Sequence, residues 1–419
     1  MCVRQTRRQR MKIRNLKGQK ETFGGILTVL FSVLAVYGII WSFTDASLFQ
    51  SSPYSSYVLQ AQRWLQGHLD LGQNYPHLEL AVFGGKYFVS FPPIPSVLLL
   101  PFCLFTNKVP DYLVTTVVGM IGAVYAYKLA YLFIKDAKYA IFWALFITIG
   151  SNFLHIGYTG DVWYIAQVCA FTFTMMAFYY AVTPDIRHGW LPVFLLALAV
   201  GCRPMQILYL PLIVLLLWQK LKTNELTLKK AVRHYFWWII PPLAVGVFLM
   251  ILNYARFGNP FEFGHNYLPE HAIQNEHGQF SFGYLVENLK NMFRLPEYNG
   301  ERLVFPRFNG VAFWLVSPFF LVFVLYFLKG IRQNWKKPAL WMTIVLATAH
   351  IFVLCLHSTL GGWQFGNRYT VDLLPCIYFA VMLMLREDKT DLRLVLYPFF
   401  FWGLGINLVG TIALVNGWI

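Results

Sequence analysis

The chain has 419 residues, of which 57% are hydrophobic and only 13% charged, with a mean hydropathy of +0.51. Soluble globular chains carry about 25% charged residues, so the composition excludes an ordinary soluble domain and points to a chain built for lipid. Lys and Arg outnumber Asp and Glu by 34 to 19, a net charge of +15, but they stand in short clusters between apolar runs, which argues against nucleic acid as a partner and marks them as topology signals.

Residues 1–21 are basic (Arg4, Arg7, Arg8, Arg10, Lys12, Arg14, Lys17, Lys20) and lead into an apolar run over 22–43. That run is longer than the apolar region of a secretory signal and no small-residue cleavage site follows, so it predicts a retained first helix with a cytoplasmic N-terminus. Further spans are predicted at about 110–134, 139–156, 162–182, 187–202, 204–219, 235–254, 310–328, 338–357, 370–386 and 393–415. Eleven crossings put every strongly basic short loop on one side, as cytoplasmic loops require. The stretch Ile94 to Phe105, about 12 residues long and interrupted by Pro95 and Pro101, is too short to cross a core of about 30 Å. It reads as a re-entrant or juxtamembrane helix. The predicted fold is all-α: a polytopic membrane protein of about eleven transmembrane helices, with juxtamembrane helices in the first outer loop. The organisation is a basic tail (1–21), a transmembrane module (22–254) with an outer loop at 44–109, a second outer loop (255–309) and C-terminal helices (310–419). Six cysteines with no CxxC spacing predict neither a disulfide framework nor a zinc site.

Candidate chemistry gathers on the outer side. Asp45 directly follows the first helix and reads either as an interfacial cap or as a general base taking a proton from an acceptor hydroxyl. Residues 54–67 form an amphipathic segment ending on Gly67, followed by Glu79 and by Gly84-Gly85-Lys86-Tyr87 ahead of Pro92-Pro93. The glycine pair permits a tight turn that presents Lys86 to a lipid phosphate, although a snorkelling lysine reads equally well. Asp161, at the tip before Val162, is a helix cap or a second acid of the site. Arg203 (Gly-Cys-Arg-Pro), Arg256 (Ala-Arg-Phe-Gly) and Arg368 (Gly-Asn-Arg-Tyr) lie on the side where arginine is less expected. Each either grips phosphate oxygens or pairs with a structural acid such as Asp372 or Glu262. The second outer loop carries His265, Tyr267, His271 and His277; the irregular histidine spacing matches no zinc signature, whereas the aromatic and amide-rich surface suits a carbohydrate or lipid headgroup.

An acid after the first helix, surface helices in the first outer loop, a Gly-Lys-Tyr strap before Pro-Pro and an acid at an outer helix tip occur in this order. The pattern resembles the GT-C glycosyltransferases, and within them the protein O-mannosyltransferase and aminoarabinose transferase group. The resemblance implies inverting sugar transfer from a polyprenyl-phosphate carrier, such as undecaprenyl phosphate, to a hydroxyl of a cell-envelope acceptor at the outer face of the cell membrane. It matches Asp45 to the catalytic base, Lys86 to a lipid-phosphate contact and Asp161 to a second acid; Tyr87, Glu79, His265, Tyr267 and the three arginines are further binding candidates from their own chemistry and position. No cofactor is assigned, and a divalent cation requirement stays open. The rival readings are a lipid-linked sugar flippase, which calls for charges near the membrane midplane, and a non-catalytic envelope-assembly scaffold.

Overall fold

A computed structural model describes residues 2–269, 278–386 and 392–419. Helices dominate because a chain in hydrocarbon must satisfy its backbone N–H and C=O groups internally. They are α1 (Cys2–Ser42), α2 (Ser56–Leu65), α3 (Ile94–Cys103), α4 (Asp111–Ile134), α5 (Ala137–Thr148), α6 (Phe153–Gly157), α7 (Val162–Val182), α8 (Leu191–Val200) and α9 (Leu210–Thr223). There follow α10 (Leu228–Tyr235), α11 (Ile240–Phe257), α12 (Leu285–Phe293), α13 (Phe313–Val316), α14 (Phe319–Lys329), α15 (Ile331–Asn334), α16 (Pro338–Leu356), α17 (Leu374–Leu385) and α18 (Arg393–Val415).

Among the described residues eight helical segments are long and apolar enough to cross a bilayer, and they fall at eight of the predicted spans. The other three predicted spans coincide with shorter apolar helices at Ala137–Thr148, Ile186–Val200 and Phe319–Lys329. Two of these are short because the chain breaks inside the expected span, between α5 and α6 and again at Ser317-Pro318 between α13 and α14. Such breaks are tolerated at membrane depth only where side chains take up the freed backbone groups. Here the Asn152 N–H donates to Ser317 Oγ (3.0 Å), Asn152 Nδ2 donates to Asn407 Oδ1 (3.0 Å), and Asn407 Nδ2 donates to the Val316 carbonyl (2.6 Å). One buried amide network thereby joins both breaks to α18.

The centre of the bundle is α7 and the segment Arg368–Leu385, whose apolar windows are 72% and 89% buried, against 22% for the peripheral Phe236–Phe257. At the end of the bundle where residues 44–109 lie, α3 packs on α2, with Ser96 Oγ donating to the Tyr57 carbonyl (3.0 Å) and to Gln60 Oε1 (2.8 Å). With ten residues it spans about 15 Å. Two small hairpins, not predicted from the sequence, complete this side: β1 (Leu80–Phe83) with β2 (Lys86–Val89), and β3 (Glu297–Tyr298) with β4 (Leu303–Val304). The first turns on Gly84 and Gly85, whose φ values of +58° and +74° suit a two-residue turn that other side chains adopt poorly.

Helix α18 approaches the α5–α6 break closely. A Cβ on Gly403 would lie 2.1 Å from the Gly150 carbonyl oxygen, whereas one on Gly405 would meet nothing within 4 Å. Gly403→Ala is therefore expected to lower stability in detergent by about 1–3 kcal/mol through overpacking. Gly405→Ala is the matched control, and thermal unfolding of the two purified variants should separate them clearly.

Candidate functional site

The hairpin β1–β2 is seated by Arg256, which lies buried at the end of α11. Its Nη1 donates to the Val89 carbonyl (3.1 Å) and its Nη2 to Asn253 Oδ1 (2.7 Å). Phe257 packs edge-on against Phe83 and Phe88, and Tyr267 tilts against Phe83 at 4.6 Å. One residue beyond Val89, the Ser90 carbonyl accepts from His265 Nδ1 at 3.0 Å. That bond puts the proton on Nδ1. These contacts make one wall out of residues 79–92 and 253–268, segments far apart in sequence.

The opposite wall comes from the centre of the bundle. Arg203 Nε donates to Asp372 Oδ2 at 3.0 Å, with the carboxylate wholly buried and the arginine side chain 18% exposed. Gln167 Nε2 reaches both the Arg368 carbonyl (2.9 Å) and the Asp372 carboxylate (3.5 Å). Arg368 is buried and donates from Nε and Nη2 to the Gly361 carbonyl (3.2 and 2.6 Å). Both guanidinium groups lie over the same ring, that of Tyr369, at 4.7 Å for Arg203 and 5.1 Å for Arg368.

Between the walls is a cavity of about 810 Å³. Its cations are Arg203 and Arg368, its carboxylates Glu79 and Glu262, and its histidines His77, His265 and His357; aromatic faces come from Tyr54, Phe91, Trp163, Phe261, Phe308 and Trp363. Glu262 is already engaged, accepting from the Gly264 N–H and from Asn266 Nδ2, both at 2.7 Å. The Glu79 carboxylate, half-buried, makes no hydrogen bond or ion pair with the protein among the described residues. The cavity lining thus holds an unpaired carboxylate and a pair of arginines of which only one forms an ion pair with an acid.

Of the ten candidate residues, Glu79, Arg203, Arg368 and His265 line the cavity. Asp45 is exposed beyond α1 and is not in the lining. Lys86 lies on the far strand of the hairpin, 65% exposed and 4.0 Å from the Asp70 carboxylate. Tyr87 stays in the hairpin, its carbonyl accepting from the Leu71 N–H, while Arg256 and Tyr267 hold that hairpin in place. Asp161 stands at the cap position of α7, yet its carboxylate makes no capping bond. It accepts instead from the Ser52 hydroxyl, while Asp111 accepts from the Ser52 N–H (2.8 Å) and from the Ser55 hydroxyl. Burial pushes the Asp161 carboxyl above its ordinary range. The two acids fasten residues 52–55 onto the starts of α4 and α7. His271 and His277 lie outside the described residues.

Sequence reasoning passed over Trp163, Trp363, His77 and His357 as site residues. Nothing local marked them, because each enters the wall only through the packing of distant segments.

No family model matches the sequence, and no curated protein matches it. Solved structures do match in fold. The chain is similar to ArnT from Cupriavidus metallidurans in a crystal structure bound to undecaprenyl phosphate, at a TM-score of 0.52 and 13% identity over 94% of this chain and 77% of that one. An oligosaccharyltransferase of Archaeoglobus fulgidus matches at a TM-score of 0.46 and 12% identity, over 94% of this chain and 55% of the other. The ArnT likeness shows the fold: the chain has the same helical membrane architecture as ArnT.

Removing one partner of the Arg203–Asp372 pair leaves a buried charge uncompensated. Asp372→Leu and Arg203→Met are each expected to cost about 3–5 kcal/mol, and the double variant Arg203→Met/Asp372→Leu to cost less than either alone. A double-mutant cycle read by unfolding in detergent checks this. Additive losses would show that the pair carries no coupling.

Proposed function

We propose that the chain is a membrane glycosyltransferase that moves a sugar from a polyprenyl-phosphate carrier to an acceptor hydroxyl, at the face of the bundle where residues 44–109 and 255–309 lie. The observation that carries this reading is the convergence of Arg203 and Arg368 over Tyr369 in the wall of a large, aromatic-rich cavity. Guanidinium forks match phosphate oxygens, and two of them with one compensating carboxylate favour an anion between them. The ArnT fold, seen with undecaprenyl phosphate in that relative, supports the same class of donor.

In this mechanism the donor phosphate rests on the two arginines and the sugar stacks among the aromatic rings. The acceptor oxygen forms the new bond to the anomeric carbon from the side opposite the phosphate. The bond from that carbon to the phosphate oxygen breaks, and its electron pair leaves with the lipid phosphate. The phosphate gains charge in this step, so fixed cations stabilise the transition state more than the ground state. The acceptor proton passes to a carboxylate. Family resemblance points to Asp45 for that role, but the cavity wall holds Glu79 and not Asp45, so we assign the base to Glu79. The outer face of the cell membrane is the proposed location, since the basic loops then lie inside.

Radiolabelled undecaprenyl-phosphate sugars presented to purified protein in liposomes, with water or glycans as acceptors, test both parts. Glu79→Gln is expected to lower turnover by about 10²–10⁴-fold while leaving carrier binding intact. Asp45→Asn should stay within a few-fold of the unaltered protein. The reverse pattern returns the base to Asp45, and carrier movement across the bilayer without any sugar transfer overturns the enzyme reading.

A further inference from the structure

Lys128 plays no part in that site. It lies on α4 six residues before the helix ends at Ile134, about 9 Å inside the span at 1.5 Å per residue. Helical spacing puts it on one stripe with Val117, Ile121 and Tyr125. Val117 and Ile121 are 40% and 41% exposed, which identifies the stripe as the surface α4 turns to lipid. Because α4 starts at Asp111 beside Asp161 and runs away from the cavity, Lys128 belongs to the opposite end of the bundle.

Its surroundings hold hydroxyls and no counter-charge. The ammonium sits 4.6 Å from the centre of the Tyr125 ring and 5.7 Å from that of Tyr179. The hydroxyls of Tyr125 and Tyr180 are 2.9 Å apart, and Lys220 Nζ, also buried, donates to the Tyr180 carbonyl (3.0 Å). Among the described residues no carboxylate forms an ion pair with Lys128. The acids of the neighbouring loops are committed elsewhere: Asp136 accepts from the Tyr139 N–H at the start of α5, and Asp185 takes Arg187 and His188. Residues 1–20 contain neither Asp nor Glu, and Glu21 on α1 acts on the neighbouring Tyr127 rather than on Lys128. A cation on a lipid-facing stripe is costly unless it reaches an anion, and a lysine stem is long enough to carry its charge toward the headgroups. Basic clefts between helices near a membrane face are suited to anionic headgroups.

We propose that Lys128, with the hydroxyls of Tyr125, Tyr179 and Tyr180, is a binding site for the phosphate of an anionic phospholipid in the leaflet opposite the cavity. The ammonium supplies the charge; one hydroxyl of the hydrogen-bonded Tyr125–Tyr180 pair keeps a proton to donate, and Tyr179 supplies another, where α4 packs on α7.

The full chain in nanodiscs of phosphatidylglycerol and phosphatidylcholine, examined by native mass spectrometry, provides the test. The unaltered protein and Lys128→Arg are expected to retain phosphatidylglycerol selectively, and Lys128→Met to bind it about fivefold more weakly, as loss of one basic residue at a membrane surface implies. Lys128→Met removes a charge from a lipid-facing position and keeps the side-chain length, so a folded sample is expected. A circular-dichroism melt verifies it. Equal retention by Lys128→Met and the unaltered protein overturns the proposal. So does displacement of the lipid by millimolar inorganic phosphate, which would identify a site for a free anion.

Discussion

The buried ion pair between Arg203 and Asp372 is the constraint on which the rest of the functional half depends. It joins the turn after α8 to the segment entering α17, elements separated by more than 160 residues. Withdrawing two charges from water is expensive, and their attraction offsets that cost only when the remaining lone pairs are also met. Asp372 has Gln167 as its second donor. Its backbone carbonyl meanwhile accepts from Gln206 and from the Tyr209 hydroxyl, both at 3.2 Å. The pair is therefore held at several points, and Tyr369 and Arg368 are placed as consequences of it.

A similar economy governs the other wall. Arg256 spends its donors on Val89 and Asn253, and so acts as a bracket for the hairpin rather than as a ligand of the cavity. His265 joins the end of the hairpin to the segment that follows α11 through the Ser90 carbonyl. Polar groups that were interchangeable candidates in the sequence thus divide into those whose bonds are complete within the protein and those left facing open space. Only the latter are available to a substrate. This division separates Glu79 from Glu262, while Arg203 differs from Arg256 in lining the cavity.

The same reasoning explains which expectations held and which candidates moved. The apolar runs and the basic loops are local signals, and eight spans stand where hydropathy placed them. The breaks at 149–152 and at Ser317-Pro318 were not legible, because a broken helix in lipid is permitted only by partners such as Asn407 that lie far away in sequence. Gly84-Gly85 announced a tight turn, and both residues adopt positive φ. The strands flanking that turn are too short to show an alternating pattern. Asp161 carried the correct cap position, yet its carboxylate went to Ser52, a choice set by how residues 52–55 fold back onto α4 and α7.

What the sequence by itself determined is the environment and the architecture: a chain with so few charges and such long apolar runs has to be a helical membrane bundle, since each helix closes its own hydrogen bonds. It also supplied the Gly-Cys-Arg-Pro and Gly-Asn-Arg-Tyr motifs as places where cations stand near the membrane surface. Only the tertiary structure decided that Arg203 and Arg368 share the ring of Tyr369, that Glu79 enters the cavity wall, and that Asp45 and Lys86 stand outside it. The physical reason is that a site's chemistry depends on which polar groups remain unsatisfied after folding, and that is a property of distant contacts rather than of any local motif.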